Sequence, residues 1–493
     1  MANGVMIQYF EWYLPSDGNH WNRLRDDASH LASLGISGVW LPPCTKATSA
    51  DDVGYGVYDL YDLGEFNAKG TVRTKYGDRT SLLSAVQALH ACGISVYADV
   101  VLNHKAGADR TEDITVLEVD RQDRDRVVSA PFQITAWTAF DFPGRADRYS
   151  NFHWGWQHFT ATDYDQKTGR SAVYRIVGEN KSFSENVDQE FGNYDYLMFA
   201  DIDYRHPDVV NETIAWGKWF ADTLSLDGMR LDAVKHINQD FIERFVDEVR
   251  AYVKKPFFAV AEYWKDNTGL LQKYLCDEEY CLTLFDVPLH YNLFEAGTRG
   301  RDFDLRTIFD GTLVKCNPMN VVTFVDNHDS QRHQALESWI PAWFKPSAYA
   351  LILLRKDGYP CVFYGDYYGI GGNDPVPGIS GVLDRLLTIR QKYAYGDQID
   401  IFDHPNVIAW QRTGDAEHPG SGLAAVISTG DDGYKDLSFG VSAARSEWTD
   451  MTGNITDTVT LSDAGAGRFP VRGGSVSVWV RSGKLYPGTG CVN

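Results

Sequence analysis

Residues 227–236 read DGMRLDAVKH, and this stretch has the pattern of a buried β-strand whose carboxyl end carries charged residues. Arg230 and Asp232 are two positions apart, so their side chains lie on the same face of the strand and can touch. An arginine beside an aspartate favours the ionised carboxylate, the form that a nucleophile attacking a sugar carbon needs. A structural ion pair has the same pattern, so this stretch alone leaves both roles open.

Three other apolar stretches also carry acids or histidines towards their carboxyl ends. Residues 256–264 place Glu262 among apolar and aromatic neighbours, which disfavour the charged form of a carboxyl and so suit a general acid. The other two are residues 321–330, with His328 and Asp329, and residues 94–104, with Asp99, Asn103 and His104. Four predicted strands therefore deliver titratable groups at the same end.

Eight runs have the near-continuous hydrophobicity of parallel strands that are covered on both faces. They are residues 5–12, 36–42, 94–103, 228–233, 257–262, 282–287, 321–326 and 360–364. Helix-like periodic stretches separate many of them, for example residues 21–35 and 80–93, each ending at a glycine suited to stop a helix. Strands and helices alternating in this way predict an α/β fold, a (β/α)₈ TIM barrel, whose site lies at the carboxyl ends of the strands.

The spacing departs from this alternation in two places. Residues 105–206 are too many for one crossover and are rich in Asp, Gly and aromatic residues, so we predict an irregular, β-rich domain B inserted after the third strand. From residue 399, short alternating runs punctuated by Gly and Asp predict a C-terminal antiparallel β-sandwich, domain C. The predicted domains are the barrel, or domain A (1–104 and 207–398), domain B (105–206) and domain C (399–493).

Charge and composition restrict the partners of the chain. The formal net charge of −21 argues against nucleic acid or an anionic membrane as a ligand, because both require a basic surface. The excess of carboxylates suits hard cations such as Ca²⁺, which take oxygen ligands. Aromatic residues make up 13% of the chain, enough to leave rings for exposed platforms on which sugars stack. No run of 18 apolar residues is present, so no membrane-spanning segment is predicted.

The cysteines and the N-terminus carry less information. Seven cysteines show no metal-binding spacing, although Cys276 and Cys281 could close a small loop. The first residues lack the basic start and long apolar stretch of a signal peptide. This N-terminus fits either a cytoplasmic protein or a mature secreted form.

A barrel that holds one carboxylate beside arginine, one in an apolar environment and one beside histidine fits glycoside hydrolysis. The segments DVVLNH (99–104), GMRLDAVKH (228–236), AEYW (261–264) and FVDNHD (324–329) resemble the four signature regions of the α-amylase family, glycoside hydrolase family 13. The runs QYFEWY, DVGYGVYDLYDLGEF, NYDYLMFADIDY and GGSVSVWV extend the resemblance to the bacterial liquefying α-amylases over nearly the whole chain.

The resemblance implies a monomeric, endo-acting enzyme that hydrolyses internal α-1,4 bonds of starch, amylose, malto-oligosaccharides or glycogen with retention of configuration. Asp232 matches the nucleophile that forms a covalent glycosyl-enzyme, and Glu262 matches the general acid and base. Asp329 matches the third acid, which binds sugar hydroxyls and stabilises the transition state. Retention predicts that the carboxyl groups of Asp232 and Glu262 are about 5 to 5.5 Å apart.

The resemblance also implies residues that contact the sugar. His104 and His328 match residues that bond the sugar at the cleavage point, and Tyr55 resembles the ring that stacks on the sugar before the cut. Lys235 and His236 resemble the pair that lines the leaving-group subsites. The full set implied is Gln8, Trp12, Tyr55, His104, Arg230, Lys235, His236 and His328.

A structural calcium between domains A and B is implied as well. Asn103, Asp195 and Asp201 match its side-chain ligands, and the backbone carbonyl of His236 completes the set. Hard oxygen ligands contributed by both domains suit Ca²⁺. This ion would support the cleft and take no part in the chemistry.

The liquefying enzymes add a second Ca²⁺ and a Na⁺ at this junction. Asp163 and Asp203 are the candidate ligands for these ions in the present sequence. Ser184 falls where those enzymes place another bridging aspartate. Fewer carboxylates should weaken this second site.

Other functions remain open. A transglycosylase or branching enzyme of the same family would share every acid, whereas a catalytically silent glucan-binding homologue would be expected to lose one. A metal-dependent hydrolase of another barrel family could use Asp99, His104, His328 and Asp329. We expect a secreted mature protein, because soluble starch is usually met outside cells, while a cytoplasmic role in glycogen degradation stays open.

Overall fold

The computed structural model describes residues 3–277 and 282–482, and within them the central element is a closed barrel of eight parallel strands. Each strand pairs with its neighbours in chain order, and the last strand pairs with the first. The strands are β1 (Met6–Gln8), β2 (Gly38–Leu41), β3 (Ser95–Val100), β4 (Gly228–Leu231), β5 (Phe258–Ala261), β6 (Thr283–Phe285), β7 (Val321–Phe324) and β8 (Tyr359–Phe363). Each one overlaps its predicted run, so the predicted barrel is confirmed.

An α-helix follows every barrel strand in sequence. The first two match the predicted helical stretches, and the chain leaves them through Gly35 (φ 81°) and Gly93 (φ 74°). Glycine adopts this left-handed backbone without the steric strain that a side chain would add, so it ends the helix. The eight helices are His20–Ser33, Arg79–Ala91, Pro207–Thr223, Gln239–Val253, Thr268–Asp277, Val287–Arg299, Lys345–Leu353 and Ser380–Tyr393.

Several shorter elements decorate the barrel and its loops. Two short α-helices are Leu313–Cys316 and Tyr364–Tyr367. The 3₁₀ helices are Trp156–His158, Val234–His236, Gly300–Asp302, Leu305–Thr307 and Val441–Ala443. Two small hairpin-like pairs are Lys46–Ala47 with Val57–Asp59, and Gly369–Ile370 with Val376–Pro377.

The chain between β3 and β4 forms an antiparallel sheet with its own apolar core. In spatial order the strands are His104–Lys105, Ala200–Ile202, Phe159–Asp165, Arg170–Ile176, Arg110–Val119 and Phe132–Ala139. The first two lie next to the barrel in sequence, because they are the points at which the insertion leaves and re-enters domain A. The predicted β-rich insertion is thus confirmed.

The C-terminal part of the chain forms two further antiparallel sheets around a separate core. The larger sheet contains Gln398–Ile401, Val407–Arg412, Leu423–Ser428, Ser475–Arg481, Glu447–Asp450 and Val459–Thr460 in spatial order. The smaller sheet pairs Gly433–Ser438 with Ala466–Val471. The predicted class of C-terminal domain is confirmed.

Two expectations concern membranes and disulfides. In the described part of the chain no helix has the length and apolarity that crossing a membrane requires. The loop that Cys276 and Cys281 could close involves residue 281, which lies outside the described residues.

Candidate active site

Arg230 on β4 joins the acids at the carboxyl ends of three neighbouring strands. It is the direct neighbour of Asp99 in the register of β3 and β4, and its Nη1 donates to Oδ1 of Asp99 at 2.9 Å. The same Nη1 donates to Oδ1 of Asp232 at 2.5 Å, and Nη2 lies 3.8 Å from Oε2 of Glu262. The guanidinium is fully buried, 5.1 Å from the ring centre of Trp40. One buried cation therefore serves three carboxyl groups.

The environment of Glu262 favours its protonated form. Burial raises the pKa of Glu262 to about 8, although Arg230 opposes this shift. The backbone N–H of Ala233 donates to Oε2 at 2.8 Å, which leaves Oε1 as the oxygen that can carry the proton. Ala233 presents this N–H from a left-handed backbone, φ 48° and ψ 38°, which is uncommon for a residue with a side chain. Glu262 is therefore poised to donate a proton near neutral pH.

Asp232 has the same exposure as Glu262 but a different electrostatic partner. Their side chains are 11% and 10% exposed, so both are nearly buried at the ends of neighbouring strands. Only Asp232 is in direct contact with the guanidinium, and a charge-assisted hydrogen bond of this length stabilises negative charge on its carboxylate. Its backbone N–H donates to the carbonyl of Val100 at 3.0 Å, which fastens it to β3. The pair thus combines a carboxyl bonded to a guanidinium with a carboxyl whose protonated form is favoured by burial.

Asp329 and His328 lie on the loop that follows β7. Oδ1 of Asn327 accepts the backbone N–H groups of Asp329 at 2.9 Å and Ser330 at 2.8 Å, which closes a tight turn and sets the direction of both side chains. Burial raises the pKa of Asp329 to about 7. The amide of Gln8 donates to Nδ1 of His328 at 3.0 Å, so Nε2, 3.3 Å from Oδ2 of Asp329, carries the proton.

Three parallel rings form one wall of the cleft. The ring of Tyr55 is 5.1 Å from His328 and 5.9 Å from Trp12, with interplanar angles of 3° and 4°. The Tyr55 hydroxyl and the indole N–H of Trp40 both donate to Oδ2 of Asp99 at 3.0 Å. Tyr55 and Trp12 are half-buried, so part of each face is open to a ligand. This arrangement is a rigid stacking surface next to the acids.

His104 lies behind Tyr55 and is held by the protein on both sides of its ring. Nε2 donates to the carbonyl of Tyr55 at 2.9 Å, and Nδ1 accepts from the amide of Asn103 at 3.3 Å. Burial lowers the pKa of His104, which keeps the ring neutral. His104 therefore supports Tyr55 from behind, and its predicted bond to the sugar stays a prediction.

Lys235 and His236 belong to the 3₁₀ turn that follows β4. Nζ of Lys235 donates to the carbonyl of Trp264 at 3.3 Å and lies 3.8 Å from the carboxylate of Glu190. Nδ1 of His236 donates to the carbonyl of Tyr194 at 2.8 Å, and burial lowers the pKa of His236 to about 3. A cavity beside Lys235 is lined by Asp188, Glu190, Tyr263 and Lys265.

The family profile described as "Alpha amylase, catalytic domain" matches residues 20–433. The chain belongs to the α-amylase family. A glucan 1,4-alpha-maltohexaosidase from Bacillus sp. (strain 707) is 54% identical over 480 residues, which cover 97% of this chain and 92% of that protein. An alpha-amylase from Geobacillus stearothermophilus is 52% identical over 478 residues, which cover 97% of this chain and 87% of that protein.

A solved structure shares the fold of this α-amylase family member. The alpha-amylase from Geobacillus thermoleovorans, complexed with acarbose, matches with a TM-score of 0.63 over 98% of both chains. The sequence identity in this comparison is 19%, so the likeness concerns the fold alone. The barrel with its inserted and C-terminal sheets is thus the architecture of known α-amylases.

Two buried carboxylates lie where the family resemblance places a calcium. Asp195 and Asp201 are 3% and 0% exposed, and the amide of Asn103 is 3.4 Å from Oδ1 of Asp201. Burial raises the pKa of Asp195 to about 7, and burial together with the neighbouring charge of Asp195 raises the pKa of Asp201 well above its usual range. Neither forms an ion pair with a residue in the described ranges 3–277 and 282–482.

A small cavity lies beside Asp195 and Asp201, and the hydroxyl oxygen of Ser184 faces it. Asn103, Asp195 and His236 line the cavity together with Ser184, whose buried hydroxyl has no hydrogen-bond partner. Among the described residues no three His, Cys, Asp or Glu side chains are arranged to hold a metal. A site with two carboxylates would therefore need amide, hydroxyl and backbone oxygens, which are the oxygen ligands that Ca²⁺ takes.

The two residues predicted to bind further metal ions are bonded to different partners. Oδ2 of Asp163 accepts the backbone N–H of Phe199 at 3.1 Å, and Asp163 lines a different cavity from Asp203. Asp203 is already bonded to Lys181 at 2.7 Å and to Arg205 at 3.0 Å. The oxygens of Asp203 are thus occupied by cations of the chain itself, while the metal-binding role of Asp163 stays a prediction.

Three residues of this site were not predicted from the sequence as part of a glycosidase site. Asp99 was a candidate only for a metal hydrolase, yet its two oxygens are bonded to Arg230, Tyr55 and Trp40, which leaves no room for a metal. Trp40 and the backbone N–H of Ala233 were not predicted at all. The position of Asp99 at a strand end was the one available signal, because the contacts of the other two depend on loop conformation.

Proposed function

We propose that this protein hydrolyses internal α-1,4-glucosidic bonds of starch and related glucans with retention of configuration. The proposal rests on one observation above all: Asp232 is bonded to Arg230 at 2.5 Å, whereas Glu262 lies 3.8 Å from the same guanidinium and has a pKa that burial raises to about 8. Membership of the α-amylase family and two relatives named as an alpha-amylase and a glucan 1,4-alpha-maltohexaosidase support the substrate class.

In the first step Glu262 acts as the acid. Its Oε1 transfers a proton to the glycosidic oxygen while a carboxylate oxygen of Asp232 attacks the anomeric carbon. The bond between the anomeric carbon and the glycosidic oxygen breaks, and the leaving glucan departs with a new hydroxyl group. The Asp232 carboxylate has then become an uncharged ester, so Arg230 faces one negative charge fewer. Asp99 remains bonded to the guanidinium throughout.

In the second step Glu262, now a carboxylate, acts as the base. It takes a proton from water, whose oxygen attacks the same anomeric carbon and displaces Asp232. Two inversions give net retention, and the starting protonation states are restored. Asp329 is 25% exposed and its Oδ2 lies 3.3 Å from Nε2 of His328, so it is placed to accept hydrogen bonds from sugar hydroxyls in both steps.

The cleft offers contacts on both sides of the acids. The parallel rings of Tyr55 and Trp12 suit stacking against the sugar that precedes the cut. Lys235, with its ammonium 3.3 Å from a backbone carbonyl, lines the cavity on the side assigned to the leaving group. We assign Gln8 an indirect role, since its amide orients the ring of His328.

A structural calcium is part of the proposal. Asn103, Asp195, Asp201 and the backbone carbonyl of His236 would hold it, and the buried, uncompensated carboxylate pair supports this assignment. The bound ion would supply the positive charge that this pair lacks and join domain B to the barrel. We expect chelation to lower the Tm and activity together, because the ion is part of the fold.

The test is digestion of amylose and a blocked maltoheptaoside by the wild type and by Glu262→Gln, with chromatography and NMR of the first anomer released. We expect mixed short α-configured oligosaccharides from the wild type and none from the variant. Products longer than the substrate would instead indicate a transglycosylase. Glucan binding without turnover by the wild type would indicate a silent homologue, and a β-configured first product would disprove retention.

A further inference from the structure

Asp203 is a buried carboxylate whose two oxygens are both bonded to cations. It is 3% exposed and follows the strand Ala200–Ile202. Nζ of Lys181 donates to Oδ2 at 2.7 Å, and Arg205 donates to Oδ1 through Nε at 3.0 Å and to Oδ2 through Nη2 at 3.2 Å. The backbone N–H of Arg205 donates to Oδ1 at 3.1 Å. These four bonds use the acceptor positions that a metal ion would need.

The two cations are themselves held in place. Nζ of Lys181 also donates to the backbone carbonyl of Gln157, and the Lys181 side chain is only 6% exposed. The guanidinium of Arg205 donates to both the hydroxyl and the backbone carbonyl of Ser182. Three separate segments of domain B, around residues 157, 181 and 203, are therefore joined by one ammonium and one guanidinium.

The neighbouring carboxylates of Asp195 and Asp201, unlike that of Asp203, are not bonded to cations of the described residues. Among the described residues, the donors to Asp195 and Asp201 are neutral. The backbone N–H of Ser184 bonds to Asp195 at 3.0 Å, and the hydroxyl of Thr160 and the amide of Asn103 bond to Asp201. Ser184 lies three residues after Lys181, so one loop connects the compensated carboxylate to the uncompensated pair. The positive charge that the chain itself supplies at this junction is concentrated on Asp203.

We propose that Lys181 and Arg205 are the built-in counter-ions of Asp203 and take the place of a second metal ion at the junction of domains A and B. A divalent ion at Asp203 would have to displace a buried ammonium and would then lie beside two fixed positive charges, which repel it. The junction therefore uses one exchangeable ion, at Asp195 and Asp201, and one permanent ion-pair cluster. This inference does not depend on the proposed hydrolysis, because its tests measure metal content and Tm.

The first test is the metal content of the wild-type chain after dialysis against millimolar Ca²⁺ and Na⁺, measured by elemental analysis. We expect no more than one tightly bound Ca²⁺ per chain and no tightly bound Na⁺. Two or more tightly bound ions per chain would overturn the proposal, and this measurement needs no variant.

The second test compares Lys181→Met with Lys181→Arg by Tm and calcium content. We expect Lys181→Met to lower the Tm by about 5 °C or more while it keeps its calcium, because a buried carboxylate loses a partner. Lys181→Arg, which preserves the charge, should recover most of this loss. An unchanged Tm in Lys181→Met, or a fall in Tm that comes with loss of calcium, would overturn the proposal.

A matched control uses the same substitution on an exposed ion pair. Lys315 bonds to Asp310 at 2.6 Å, but the two side chains are 59% and 55% exposed. Solvent screens such a pair, so Lys315→Met should leave the Tm within about 1 °C of the wild type. An equal fall in both methionine variants would show that loss of any lysine lowers the Tm, and would overturn the specific role of Lys181.

Discussion

The carboxylates around Arg230 and the carboxylate of Asp203 are both buried, but they differ in how much positive charge they receive. At the centre of the barrel Asp99, Asp232 and Glu262 share a single guanidinium. At the junction with domain B Asp203 alone is bonded to two cations. Burial raises the pKa of Glu262 to about 8, and the single shared guanidinium does not offset this shift, so Glu262 keeps a transferable proton. In these two clusters, the carboxyls that share one cation include the proposed proton donor, whereas the carboxylate with two cations joins segments of domain B.

The largest effect should follow from removal of the proton donor. We expect Glu262→Gln to lower kcat on a blocked maltoheptaoside by about 10³-fold or more, since general acid catalysis is lost. The Tm should not fall, because the substitution removes a buried carboxyl whose charged form was unfavourable. A variant that keeps a tenth of the wild-type kcat, or one that loses both activity and Tm, would contradict the contrast between the two regions.

Removal of Arg230, the cation that the three carboxyls share, should lower the free energy of unfolding. Arg230→Met leaves buried carboxylates without a counter-ion, so the free energy of unfolding at pH 7 should fall by about 3 to 5 kcal/mol. Without Arg230, the pKa values of the carboxyls that it contacted should rise in the folded variant. These carboxyls are protonated and uncharged at low pH, so the folded state is destabilised only as the pH rises and they would have to ionise. Urea unfolding at about pH 5 should therefore show a smaller loss. An equal loss at both pH values would mean that packing against Trp40 dominates.

The pH dependence of the reaction should report Glu262. Since burial raises the pKa of Glu262 to about 8, it is protonated below that pH and loses its donor form as pH rises through it. We expect kcat/KM to fall about tenfold per pH unit above that value. Asp203→Asn is the matched control and should leave this alkaline limb in place. A limb that moves in Asp203→Asn would show that the two regions are electrostatically linked.

The smallest effect should be seen at the junction. Asp203→Asn leaves two cations with a neutral partner, and we expect it to lower the free energy of unfolding by about 1 to 3 kcal/mol with little change in kcat at 25 °C. Asp436→Asn is a suitable control, because Asp436 and Arg468 are 63% and 60% exposed. Solvent screens this exposed pair, so the substitution should leave the free energy of unfolding essentially unchanged. A larger fall in kcat than in stability for Asp203→Asn would contradict a structural role.

The order and class of the elements were predictable from local patterns. Near-continuous hydrophobic runs predicted β1 to β8, and glycines at the ends of helical stretches predicted where the first two helices stop. The position of Asp232 two residues after Arg230 predicted their contact, because strand geometry places both side chains on one face. The family motifs then pointed to Glu262 and Asp329. Each of these predictions depends on residues that are close in sequence.

The sequence by itself thus determined the barrel, the strand ends at which the acids lie and the contact between Arg230 and Asp232. Only the tertiary structure decided that Asp99 shares Arg230, that the backbone N–H of Ala233 reaches Glu262, and that Asp203 is bonded to Lys181. Local periodicity sets which face a side chain occupies. Its charge state depends on burial and on partners that are brought within a few ångströms by the fold, because electrostatic interactions act through space and not along the chain.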